Sequence, residues 1–131
     1  GTGTVLFIGL NPSTADHLND DPTIRRCVQF AVDWGFNKLI VTNLFAYLAT
    51  YPEDLKQTQK PVGPQNDFWI KRSYRSARLA VACWGNEGSH MGRSTQIRAH
   101  LPRLHFLKMN RSEQPGHPLY LRATVKPQLW Q

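Results

Sequence analysis

The sequence has few cysteines and no long hydrophobic run. Its two cysteines, Cys27 and Cys83, each lie in an apolar stretch. Two thiols are too few for a four-cysteine zinc or iron–sulfur site, and their surroundings favour buried thiols in a reducing compartment over disulfides. No apolar segment approaches the roughly 20 residues needed to cross a bilayer. We therefore expect a cytoplasmic protein that does not span a membrane.

Acidic residues are scarce in the C-terminal third of the chain. Residues 88–131 carry seven basic residues and one acidic residue, whereas residues 1–87 carry nine and eight. The C-terminal third thus holds most of the net charge of +7. A basic surface of this kind attracts phosphate, as found in nucleic acids and nucleotides. A basic protein with no polyanionic partner is the alternative that charge alone leaves open.

Apolar segments alternate with amphipathic segments along the chain. Strands are predicted at Thr4 to Gly9, Lys38 to Asn43, Arg78 to Trp84 and Leu104 to Lys108. Helices are predicted from Pro22 to just before Gly35, at Gln65 to Ser76 and at Arg93 to Leu101, with a short helix opened by Thr50 and Pro52. Because each strand is apolar throughout, residues 1–131 are expected to form a single α/β domain. Its four-stranded parallel sheet would be flanked by helices on both faces.

Polar residues follow the predicted strands at the points where they end. These strand exits carry Asn11, Asn43, Asn86 and, after the fourth strand, His117. Since the carboxyl ends of parallel strands share one edge, where ligands bind, we expect three amides and one imidazole to gather there. Amides both donate and accept hydrogen bonds, which suits a nucleobase or a carbonyl better than a metal ion. We therefore expect no metal and no other cofactor.

Each of these residues also has an ordinary structural explanation. An asparagine after a strand often forms a turn or caps a helix, and Gly116-His117-Pro118 is compatible with a simple turn. Trp84 and Phe45 both suit core positions. The convergence of four chain segments on one edge is what favours a functional site.

Four motifs at these strand exits resemble those of a known superfamily. They are GLNPS (9–13), TNLF (42–45), WGNEG (84–88) and GHPLYL (116–121). In order and position they resemble the motifs of the uracil-DNA glycosylase superfamily, whose members have a four-stranded parallel sheet. More closely, LNPSTAD, DDPTIRRC and GHPLYL resemble the uncharacterised bacterial and phage domain-of-unknown-function family 1643 over nearly the whole chain. This closer resemblance brings no established activity.

The glycosylase resemblance implies a role for each motif residue. Asn11 matches the residue that orients the hydrolytic water, Asn43 the residue that hydrogen-bonds the flipped base, and His117 the residue that stabilises charge on the base carbonyl. The implied base-binding residues are Leu10, Pro12, Ser13, Phe45, Trp84 and Asn86, beside Asn43. Leu119 or Tyr120 would fill the gap that the flipped base leaves in the duplex. Candidate phosphate contacts are Arg93, Arg98, Lys108, Arg111 and Arg122.

These residues lead us to expect a monomeric DNA glycosylase-like hydrolase that acts on a damaged or modified base, with DNA or a nucleotide as its partner. Two alternatives stay open. One is a non-catalytic reader of modified DNA. The other is an enzyme that acts on free nucleotides or nucleosides in base-modification metabolism. The acidic residues Asp16, Asp20 and Asp21 favour this last alternative, because acid beside a DNA groove repels phosphate.

Overall fold

The apolar segments form one sheet, as the sequence predicts. The computed structural model describes residues 2–12, 22–45, 63 and 65–131. Its strands are β1 (Thr4–Gly9), β2 (Lys38–Asn43), β3 (Leu79–Ala82), β4 (His105–Phe106) and β5 (Gln128–Leu129). They lie in the order β2-β1-β3-β4-β5, and the first four are mutually parallel. The predicted short helix opened by Thr50 and Pro52 lies outside the described residues.

The fifth strand extends the four-stranded sheet that the sequence predicts. β5 pairs antiparallel with β4, with Leu129 opposite His105. Just beyond this pair, the Trp130 amide donates a hydrogen bond of 2.8 Å to the carbonyl of Leu104. A strand of two exposed residues has no apolar pattern of its own, so its pairing with β4 defines it.

Helices cover both faces of the sheet, which confirms the predicted α/β class. They are α1 (Pro22–Asp33), α2 (Asn66–Ser76) and α3 (Arg93–His100). Because alternate strand residues point to opposite faces, Val5 and Phe7 pack in the layer that contains α1. Leu6 and Ile8 pack in the layer formed with α2 and α3. Among the described residues, no helix combines the length and apolar character needed to cross a membrane.

The strand order creates a switch point between β1 and β3. The helix that follows β1 in sequence, α1, packs on one face, and the helix that follows β3, α3, packs on the opposite face. Elements that follow these neighbouring strands therefore lie on opposite faces, an arrangement that typically leaves a crevice beyond the carboxyl ends of such strands. In open α/β sheets such a crevice is the usual place for a ligand.

The two cysteines are buried in the α1 layer, and neither forms a disulfide. The Cys83 thiol donates a 3.5 Å hydrogen bond to the carbonyl of Ile8. Burial raises the pKa of the Cys83 thiol well above its ordinary value, and the neighbouring Cys27 raises it further. A buried, protonated thiol is a poor nucleophile, which favours a packing role for Cys83.

We expect both thiols to react with a disulfide reagent about 100-fold or more slowly in the native protein than in urea, because reaction requires opening of the core. Stability should also fall as the pH rises past the ordinary thiol pKa, since Cys83 then ionises in the unfolded chain but stays protonated in the folded one. Thiol titration and urea unfolding at several pH values measure both effects. Cys83→Ala should lessen the alkaline loss, and fast labelling of native protein would contradict the burial.

Candidate functional site

The carboxamide of Asn43 lies against the end of β1. Gly9 and Asn43 form the last residue pair of the β1–β2 ladder. A β-carbon at Gly9 would lie 2.8 Å from Asn43 Oδ1, so this amide position requires a glycine opposite it. The pairing continues beyond the strands, where Leu44 N donates to Gly9 O and Phe45 N donates to Leu10 O, each at 2.9 Å. The exits of β1 and β2 are therefore held side by side.

Asn11 lies two residues beyond β1, at the carboxyl edge beside the switch point. Its side chain is partly buried, and Nδ2 donates a hydrogen bond of 3.1 Å to the carbonyl of Pro12. The preceding Leu10 packs against the core layer formed with α2 and α3. Ser13, the next predicted base-binding residue, lies outside the described residues. The segment after β1 thus carries the Asn11 carboxamide at this edge, next to the packed residue Leu10.

The chain that follows β4 returns to the end of β3 and carries His117 with it. Met109 and Pro115 form an antiparallel bridge that closes the returning loop. Gly85, three residues beyond β3, donates its amide hydrogen to the carbonyl of Pro115 at 2.8 Å. This hydrogen bond fixes the start of the segment that bears His117 next to the exit of β3, the strand adjacent to β1.

The orientation of the His117 ring depends on a local hydrogen bond. His117 Nδ1 accepts a hydrogen bond of 3.3 Å from the amide of Leu119, at the first turn of the 3-10 helix Pro118–Tyr120. An imidazole that accepts at Nδ1 carries its proton at Nε2 when it is neutral. His117 can therefore act as a hydrogen-bond donor through Nε2 without being charged.

Trp84 is a core residue and not part of a binding surface, which corrects its predicted role as a base contact. The indole is 2 % exposed and packs against Trp130 at a centroid distance of 5.7 Å. Its Nε1 donates a 2.8 Å hydrogen bond to Gln114 Oε1. A β-carbon at Gly88 would lie 1.9 Å from Trp84 Cδ1, so the chain folds directly over the ring. Trp84 thus supports the loops that form the edge.

Asn86 connects the loop after β3 to the loop after β4. Its Oδ1 accepts hydrogen bonds from Asn110 Nδ2 at 2.9 Å and from Ser112 Oγ at 2.6 Å. The side chain is exposed, so contact with a ligand through its remaining amide hydrogens stays a prediction. The observed contacts make Asn86 a structural link at the carboxyl edge.

Arg93 is buried, which corrects its predicted role as a phosphate contact. The side chain is 1 % exposed, and Nε and Nη2 donate to the carbonyl of Leu44 at 2.9 and 2.7 Å. Nη2 also forms an ion pair of 2.6 Å with Asp67, and Nη1 donates to Gln96 Oε1 at 2.9 Å. The guanidinium lies 6.0 Å from the ring of Phe45, which is itself fully buried. Neither Arg93 nor Phe45 is therefore placed to contact a ligand as predicted.

The other predicted contacts differ in exposure. The guanidinium carbon of Arg98 lies 3.7 Å from the centre of the Trp130 ring, and Nη2 donates to the carbonyl of Gln131 at 3.2 Å. The guanidinium therefore lies on the side of the sheet formed by α3 and β5. The exposed candidates are Lys108, Arg111 and Arg122. Leu119 is partly buried, and the side chain of Tyr120 lies outside the described part of the chain.

Two residues at this edge were not predicted from the sequence. Asn66, the first residue of α2, donates from Nδ2 to the carbonyls of Asn43 and Leu44 at 2.8 and 3.0 Å. His90 Nε2 is buried without a hydrogen-bond partner among the described residues, with its ring 5.6 Å from that of Phe45. The place of Asn66 at the start of a helix is a sequence signal for its hydrogen-bonding role. The burial of His90 is seen only in the fold. In the described ranges, no group of three or more histidines, cysteines and carboxylates could hold a metal ion.

Comparison with known proteins shows a match to a protein family. A family profile described as a protein of unknown function (DUF1643) matches residues 1–119, a range that includes Asn11, Asn43 and His117. Neither the curated proteins nor the solved structures contain a significant match to the chain. None of these comparisons links the chain to the uracil-DNA glycosylases, so that resemblance rests on the sequence motifs alone.

We expect Gly88→Ala to destabilise the protein by about 2 kcal/mol or more, because the new methyl group overlaps the buried Trp84 indole. Urea unfolding measures the loss. Ser89→Ala, at the exposed neighbouring position, is the matched control and should change stability by less than about 0.5 kcal/mol. Equal stability of the two variants would contradict the packing of the loop on Trp84.

We expect Arg93→Gln to destabilise the fold by about 3 kcal/mol, because it removes the cation that satisfies the Leu44 carbonyl and Asp67. Arg111→Gln, which changes an exposed arginine, should cost less than about 0.5 kcal/mol. Urea unfolding compares the two. If Arg93→Gln left stability unchanged but weakened DNA binding, Arg93 would be a phosphate contact after all.

Proposed function

We propose that this chain, which belongs to the DUF1643 family, is a glycosylase-like hydrolase that cleaves the N-glycosidic bond of a damaged or modified base in DNA. The observation that carries the proposal is the meeting of three chain segments at the carboxyl edge. The pairing of Gly9 with Asn43 joins the segment of Asn11 to that of Asn43, and the hydrogen bond from Gly85 to Pro115 brings the segment of His117 to the strand next to β1.

The chemistry of N-glycosidic cleavage suits these side chains. As the bond breaks, negative charge develops on the departing base and positive charge on the sugar. A fixed donor near the base oxygen stabilises this transition state, and in this proposal His117 supplies it through Nε2. An oxocarbenium-like sugar needs little nucleophilic help, so Asn11 has only to hold a water molecule in position.

Asn43 is suited to recognition of the base. A carboxamide presents a donor and an acceptor side by side, which matches the edge of a pyrimidine or purine. The close approach to Gly9 limits the positions open to this carboxamide, and Asn66 holds the backbone of Asn43 through a 2.8 Å hydrogen bond. A preorganised amide binds a base more tightly than a mobile one, because less conformational freedom is lost on binding.

A second candidate function is hydrolysis of free nucleotides or nucleosides. The internal roles of Arg93 and Arg98 favour it, because they leave Lys108, Arg111 and Arg122 as the exposed cations among the predicted phosphate contacts. A monomer requires fewer phosphate contacts than a duplex does. The two functions differ in whether base is released from duplex DNA or from monomers.

The test is mass spectrometry of bases released from duplexes that carry a panel of lesions and phage-type modifications, alongside the matching nucleotides. Asn11→Ala and His117→Ala are each expected to reduce release about ten-fold or more, as loss of transition-state stabilisation requires. Asn37→Ala is the matched control, because Asn37 is exposed and precedes β2 at the opposite edge of the sheet. Absence of release from every duplex and monomer, or equal rates in all variants, would contradict the proposal.

A further inference from the structure

An open cleft lies between the first turns of α1 and the 3-10 helix Pro118–Tyr120. It has a volume of about 370 Å³ and is lined by Pro22, Arg25, Arg26, Gln29 and Leu119. This volume falls within the range of small-molecule sites, which is roughly 300–1,000 Å³. The lining supplies two guanidinium groups and one carboxamide, so its polar chemistry is that of hydrogen-bond donors.

Arg26 is a fixed cation in this cleft. Its Nη2 donates to the carbonyl of Leu121, and its guanidinium carbon lies 5.2 Å from the centre of the Phe30 ring. These contacts at two sides hold the side chain across the cleft, where it is partly buried. The position of the guanidinium is thus set before any ligand arrives.

Arg26 also lacks a counterion in the described part of the chain. Neither of its described contacts is a carboxylate, and its Nε is buried without a hydrogen-bond partner there. Arg93, which is fully buried, is by contrast paired with Asp67. Removing a cation from water without a partner is costly, so an anion is the group that would complete the environment of Arg26.

The helix itself adds to this positive field. Pro22 is the first residue of α1, and the first turn of this helix contains no acidic residue. The backbone N–H groups at a helix start carry partial positive charge and bind phosphate in many proteins. Arg26 and the helix start therefore act on the same volume.

We propose that this cleft binds a phosphate group, carried either by a nucleoside monophosphate or by a DNA strand. The cleft adjoins the proposed site, because Leu119 lines it while the Leu119 amide holds the His117 ring. A phosphate seated on Arg26 would anchor the sugar-phosphate of the substrate beside that imidazole. Only the identity of the phosphate carrier rests on the proposed function.

Calorimetric titration with inorganic phosphate, thymidine monophosphate and a short duplex tests the cleft. Arg26→Gln is expected to weaken phosphate binding about ten-fold or more, as loss of a charge-assisted contact does. Arg103→Gln, which changes an exposed arginine before β4 at the opposite edge of the sheet, should weaken it less than about two-fold. Gln29→Trp, which fills the cleft and leaves the Arg26 anchors in place, should also abolish binding.

Titrations are run with EDTA, because Asp20 and Asp21 precede Pro22 in the sequence and a bridging cation could otherwise hold phosphate. Binding that persists in EDTA, is weakened about ten-fold or more by Arg26→Gln and is lost in Gln29→Trp supports the arginine site. Three results would overturn it. They are phosphate binding that requires a divalent cation, phosphate affinity in both variants equal to that of the unchanged protein, and no phosphate binding by any of the proteins.

The arms of the titration also separate this inference from the proposed function. If inorganic phosphate displaces thymidine monophosphate but not the duplex, the cleft is assigned to free nucleotides. If it displaces the duplex as well, the cleft is assigned to DNA. Phosphate binding without base release from any substrate would end the proposed function and leave the cleft intact. Base release by a protein that binds no phosphate would end the inference alone.

Discussion

The buried guanidinium of Arg93 is the interaction on which the carboxyl edge most depends. It joins the first residue of α3 to the carbonyl of Leu44, just past β2, and to Asp67 in the first turn of α2. Three segments distant in sequence thus share one cation. Because the Leu44 carbonyl accepts from both Nε and Nη2, the exit of β2 has a fixed direction, and the carboxamide of Asn43 comes directly before it.

The two faces of the sheet use charge in different ways. On the face of α2 and α3, Arg93 is fully buried and neutralised within the protein. On the face of α1, Arg26 is partly buried, is anchored to a neutral carbonyl and lies beside an open cleft. The first arrangement stabilises the fold, whereas the second leaves positive potential available to a ligand. The segment that bears His117 crosses from the end of β3 to this second face, where Leu121 packs in the α1 layer.

Particular elements show what the sequence could predict. β1 and β2 have the predicted boundaries, because each has an apolar run that ends at a residue typical of a turn, Gly9 or Asn43. β4 has two residues where five were predicted, since its partner β3 leaves the sheet at Ala82. The sequence gives no sign of the burial of Arg93, because α3 has no clear apolar face and an arginine in its first turn is typical of a solvated surface.

β5 and the residues around it also bear on how the sheet ends. An edge strand with free backbone groups is a template for pairing with another molecule. Here the outer side of β4 is occupied by β5, and Arg98 holds the chain beyond it through Trp130 and the Gln131 carbonyl. The outermost strand at this edge of the sheet, opposite the edge formed by β2, is therefore only two residues long, with an arginine held beside it. Because β5 is so short, this edge offers few backbone groups with which a strand of another molecule could pair.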